Sequence, residues 1–158
     1  PKAENIPGTE KITCDEFATL AQQEIDYYQR QFPEIKLSVE IRKDIAGIMV
    51  SKSNLLISNK FIINKSRCDA LIQHEVATHI LTYCNGKRQP LCQMYAGFAK
   101  YDQLQEGLAV LAEYLVGGLT VNRMRTLAGR VIAAESMAKG ATFIETFNIL
   151  KKQNQFTD

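Results

Sequence analysis

Between positions 17 and 32 apolar side chains recur every three or four residues, at Phe17, Leu20, Ala21, Ile25, Tyr28 and Phe32. That period predicts an amphipathic helix. Thr13 and Glu16 stand at capping-box spacing at its start, and Pro33 stops it. The period then drops to two: Leu37, Val39 and Ile41 alternate with Lys36, Ser38, Glu40 and Arg42, the pattern of a half-buried strand. Short β-rich runs follow at Gly47 to Val50, Leu55 to Ser58 and Phe61 to Asn64, with Ser51 to Asn54 and Asn59-Lys60 as turns. Together they predict a small, mainly antiparallel sheet.

After the sheet the helical period returns. Ser66 with Asp69 opens a helix carrying Leu71, Ile72, Val76, Ile80 and Leu81, and Asn85-Gly86 closes it. Residues 87–102, with Pro90 and Gly97, read as a long connection with one short helix around Cys92 to Phe98. A helix over Gln103 to Val116 ends at Gly117-Gly118. Two more span Asn122 to Lys139 and Thr142 to Gln153, the last with a Thr142–Glu145 capping box. Residues 1–12, with two prolines, a glycine and no apolar period, read as an extended lead-in. The fold class is therefore α+β, with a helical C-terminal half.

Composition narrows the partners. A chain of 158 residues, 46% of them hydrophobic, has enough apolar material for one domain without covalent staples. No run approaches the roughly 18 to 20 apolar residues of a membrane span, and the first residues carry no signal-peptide apolar region. The balance of 19 basic and 17 acidic residues, +2, is too small to indicate a nucleic-acid or membrane partner. Cys14, Cys68, Cys84 and Cys92 form no CxxC or finger spacing, so buried thiols in a reducing compartment, the cytoplasm, are expected.

Both histidines of the chain fall in one string, His74-Glu75-Val76-Ala77-Thr78-His79, inside a predicted helix. Metallopeptidases present two imidazoles to zinc from one helix, with an adjacent glutamate as general base. Here the spacing is one residue longer than in HExxH. Residues four apart on an ideal α-helix differ by roughly 40° in direction, residues five apart by roughly 140°. A π-bulge, which absorbs one extra residue, would bring both rings to one metal. The alternative is ordinary: Glu75 and His79 form an i,i+4 pair, and His74 suits a hydrogen-bonded core histidine. Downstream, Gln105-Glu106-Gly107-Leu108-Ala109 sits on the next long helix, where an acidic residue can face a histidine pair and a glycine allows close helix approach.

The strings QHEVATH, QPLCQMYAGFAKYDQLQEGLAVLAEYLVGG and IPGTEKIT resemble the bacterial QEGLA-motif family. Its members are known as flavohemoglobin expression-modulating proteins, a domain of otherwise undefined function. That family is in turn similar to the eukaryotic microtubule-associated tyrosine carboxypeptidases. The resemblance implies a zincin-like metallopeptidase in which His74, His79 and Glu106 are zinc ligands and Glu75 is the general base. It also implies carboxypeptidase-like action on a peptide or protein C-terminus. Family members are longer, so the resemblance implies that residues 1–158 are one metallopeptidase-like core domain, a fragment of a longer protein.

Around that centre, Glu113 lies seven residues after Glu106 in an otherwise apolar run, a costly place for an unpaired carboxylate. It is a candidate to orient a ligand histidine through the free ring N–H. A solvent-facing helix edge is the other reading. Tyr83, Tyr95, Tyr101 and Tyr114 are candidate oxyanion donors, and Arg123, Arg125 and Arg130 candidate carboxylate forks. Leu55 to Ser58 reads either as an edge that pairs with an extended peptide or as an interior strand. The rival function is a regulatory or binding protein whose metal is absent, or structural and closed by Cys68 or Cys84.

Overall fold

The structure, a computed structural model, describes residues 10–154, with side chains to residue 152. The lead-in over residues 1–9 and the first half of the IPGTEKIT string lie outside them. The chain divides into two compact units, residues 8–118 and a second that contains the last two helices.

In the first unit, Lys11–Thr13 forms strand β1, so the lead-in ends in regular structure; β1 pairs antiparallel with β5, Ile62–Asn64. Helix α1, Cys14–Gln31, follows at once. Its capping box is present in full, with the Thr13 hydroxyl accepting from the Glu16 N–H and the Glu16 carboxylate accepting from the Thr13 N–H at 2.8 Å. Four orphan donors open every helix, and this pair satisfies two groups reciprocally.

Strands β2 (Ser38–Arg42), β3 (Ile48–Ser51) and β4 (Asn54–Ser58) form a sheet in the order β2-β4-β3. The expectation of a mainly antiparallel sheet needs correction here. β3 and β4 form an antiparallel hairpin, but β2 runs parallel to β4. Residues 43–47 carry the chain past the end of β4, and two bonds pin the crossing: Ser58 N–H donates to the Gly47 carbonyl and Asn59 N–H to the Arg42 carbonyl, both at 2.8 Å. β4 is thus the interior strand, with Leu55 and Ile57 wholly buried. The edge-strand reading of Leu55 to Ser58 is excluded.

The next helix starts and stops differently from the sequence signals. A 3₁₀ turn at Lys65–Arg67 leads into α2, Cys68–His74, and Arg67, not Ser66, stands at the N-cap without a side-chain cap bond. A π-helical segment, Glu75–Ile80, continues into α3, Leu81–Lys87. Asn85-Gly86 does not end the helix. Gly86 lies inside α3, where an added Cβ would fall 2.7 Å from the Tyr95 Cα and clash with the Met94 carbonyl. The glycine therefore serves close approach of the short helix α4, Gln93–Ala96. Helix α5 spans Tyr101–Leu115, and Gly117 takes φ +74° after it.

Phe17, Ala21 and Ile25 from α1 meet Leu55 and Ile57 from β4, and Ile72, Val76 and Ile80 from the long helix close the core. Phe61 packs edge-on against Phe17 with centroids 5.3 Å apart. Each fully buried Ile or Phe contributes roughly 1.5–3 kcal/mol. Val76 and Ile80 lie within the π segment, so the core clamps the irregular turn on its inner side. Three cysteines, Cys14, Cys68 and Cys84, are buried as expected; Cys92 is exposed.

In the second unit, α6 (Val121–Ala138) and α7 (Phe143–Asn154) are joined at Gly140, φ +94°. Thr142 and Glu145 form the expected capping box at the start of α7. Among the described residues no helix is long and apolar enough to cross a membrane.

Candidate metal centre

The five-residue spacing of the two histidines sets the local backbone problem, and the π segment Glu75–Ile80 answers it. Its wider turn brings the His74 and His79 rings to a centroid separation of 5.0 Å, where a regular α-helix would splay them by about 140°. Opening a turn displaces main-chain acceptors. The Thr78 hydroxyl donates to the Gln73 carbonyl at 3.0 Å, giving it a partner five residues on.

Helix α5 packs against both α2 and the π segment. From it Glu106 reaches the pair: Oε1 lies 3.5 Å from His79 Nε2 and Oε2 3.8 Å from His74 Nε2. Donors at arms of about 2.0–2.2 Å around one tetrahedral ion are themselves separated by roughly 3.3–3.5 Å. All three ligand atoms fall within 4.8 Å of one another, so the group can hold a small divalent ion once its donors draw in. Among the described residues no fourth His, Cys, Asp or Glu joins it.

The glycine beside Glu106 does not do what its position suggested. A Cβ on Gly107 would meet nothing within 4 Å. Close helix approach occurs instead at Gly118, where a Cβ would collide with that of Ala70 in α2.

Glu113 is wholly buried, and its carboxylate spans two partners. Oε1 accepts from His74 Nδ1 at 2.9 Å, and Oε2 accepts from an Arg67 amino group at 2.8 Å. Arg67 also donates to the Gly118 carbonyl. With Nδ1 donating, the neutral His74 ring presents the Nε2 lone pair to the Glu106 side. Burial, aided by the neighbouring His79, holds the His74 pKa below the usual histidine value despite the opposing pull of Glu113. A neutral imidazole is the form that ligates.

A cavity of about 430 Å³ opens over these groups, with Glu75 in its wall beside both histidines. Tyr83, Tyr95 and Tyr101 line it; Tyr114 does not and is 62% exposed. The Tyr95 ring stands edge-on to Tyr83 at 5.8 Å beneath the Lys87 ammonium, 4.1 Å from its centroid. Cys68 and Cys84 lie in the apolar core, where burial raises both thiols, and they close no metal site. Arg123, Arg125 and Arg130 belong to α6 in the second unit. Two residues escape a reading of the sequence: Arg67, whose only signal is that a buried Glu113 needs a cation, and Lys52, a further wall residue of the cavity.

No curated protein and no solved structure matches the chain. One family model, described as microtubule-associated tyrosine carboxypeptidase, matches residues 1–158, its whole length. The chain belongs to the microtubule-associated tyrosine carboxypeptidase family.

Proposed function

We propose that this chain is a zinc-dependent metallopeptidase of zincin-like build that removes a residue from a peptide or protein C-terminus. The observation that carries the proposal is the convergence of His74, His79 and Glu106 in one cavity with Glu75 in its wall. Two imidazoles and one carboxylate are the His₂Glu donor set of catalytic zinc sites, and they leave a coordination position for water or substrate. Family membership supplies the carboxypeptidase direction.

In this reading His74, His79 and Glu106 hold the ion. Bound zinc supplies Lewis acidity, lowering the pKa of a water toward about 7 and polarising the scissile carbonyl. Glu75 takes a proton from the attacking water and delivers it to the departing amine. Glu113 fixes His74 in the ligating tautomer, and Arg67 donates to the other Glu113 oxygen at 2.8 Å and holds the carboxylate in place. A phenol from Tyr83, Tyr95 or Tyr101 stabilises the developing oxyanion. Three buried thiols fit a cytoplasmic setting.

The test is release of the terminal residue from a library of peptides, followed by mass spectrometry with and without a chelator. Stepwise C-terminal shortening that stops on chelation and resumes with zinc is expected. Internal cleavage, or none, contradicts the reading.

A further inference from the structure

The β3–β4 hairpin turns through two residues, Lys52 and Ser53, between the paired Ser51 and Asn54. Lys52 takes φ +58° there. Tight hairpin turns place Gly, Asn or Asp at such a position, because a Cβ is strained in the left-handed region. A lysine in that conformation is uncommon, though the hairpin itself calls for a positive φ and Lys100 adopts one as well, at +68°. Its side chain is exposed, enters no ion pair or hydrogen bond among the described residues, and lines the metal cavity.

What sets Lys52 apart from Lys100 is the charge around the cavity that it lines. The cavity wall carries the carboxylates of Glu75, Asp102 and Glu106, and Lys52 is its only lysine or arginine among the described residues. With a divalent ion held by His74, His79 and Glu106, the three carboxylates still exceed the metal's charge of two by one, so Lys52 is the lining's one side-chain cation for an incoming terminal carboxylate among the described residues. We propose that the Lys52 ammonium receives the α-carboxylate of the substrate and thereby restricts the site to chain ends. This inference rests on the peptidase reading above. Lysine suits the task as a mobile point charge on a long stem, able to reach in from the rim of the cavity.

The alternative is that Lys52 merely protects the exposed end of edge strand β3 from pairing with another sheet. Binding separates the two without turnover. Two non-cleavable peptides, identical but for a free carboxylate or a carboxamide on a terminal tyrosine, are titrated calorimetrically into the zinc-loaded full chain. A charge-assisted contact predicts that the acid binds about 10- to 100-fold more tightly than the amide. Lys52→Gly, which suits the turn, should bring that ratio near one with unchanged zinc content and an equal or higher melting temperature. Lys52→Arg should keep most of the ratio. A wild-type protein with no preference for the acid, or a Lys52→Gly variant that retains it in full, overturns the proposal. Failure of the peptidase reading shows separately, as no cleavage of the cleavable acid peptide despite an intact binding preference.

Discussion

The Glu113 carboxylate stands 2.9 Å from His74 Nδ1 at the floor of the metal group, with no exposed surface of its own. Its other oxygen meets Arg67 at 2.8 Å, so the Arg67–Glu113 pair backs the buried His74 imidazole. Removing one member of a buried pair strands the other's charge.

Replacing Glu113 by Leu should therefore cost about 3–5 kcal/mol of folding stability, the usual price of an uncompensated buried charge. Glu113→Gln keeps an acceptor for His74 but sets its amide donor against Arg67, so it should lose stability too, though less than the Leu variant, while metal affinity falls roughly 10- to 100-fold. Denaturant unfolding and competitive metal titration read the two effects separately. An unchanged affinity in the Gln variant would remove Glu113 from the support of the site.

The π turn makes its own prediction. Thr78→Val removes the hydroxyl that donates to the Gln73 carbonyl but keeps the shape, so stability should drop by about 0.5–1.5 kcal/mol. Metal affinity should fall with it if the turn's geometry holds the ring pair together. A variant as stable as the parent would show that this carbonyl finds another partner.

Two glycines in and after α5 should behave oppositely. Gly118→Ala drives a methyl into Ala70 and should destabilise by roughly 1–3 kcal/mol. Gly107→Ala meets open space within a helix and should stabilise by about 0.5–1 kcal/mol. Melting temperatures of the two variants decide the point.

These contrasts mark where sequence reading reached its limit. The capping boxes at Thr13 and Thr142 were legible because cap and partner lie three residues apart. The π turn was legible because two histidines five apart conflict with a regular helix. The parallel pairing of β2 with β4 was not: period-two alternation states which face is buried, never which strand is the neighbour or its direction. Gly86 and Gly107 failed for a related reason, since a glycine's role depends on what approaches it from a distant part of the chain. Arg67 reaches Glu113 across 46 positions, a separation for which local pattern carries no signal.

In the proposed reaction His74, His79 and Glu106 ligate the metal and Glu75 transfers the proton. Metal content and turnover measured side by side on four variants test it most directly. Glu75→Gln should retain one zinc per chain and lose hydrolysis, whereas His74→Ala, His79→Ala and Glu106→Ala should lose both. A Glu75→Gln protein that releases zinc as readily as the histidine variants, or that still cleaves peptide at the parent rate, would contradict that division of roles.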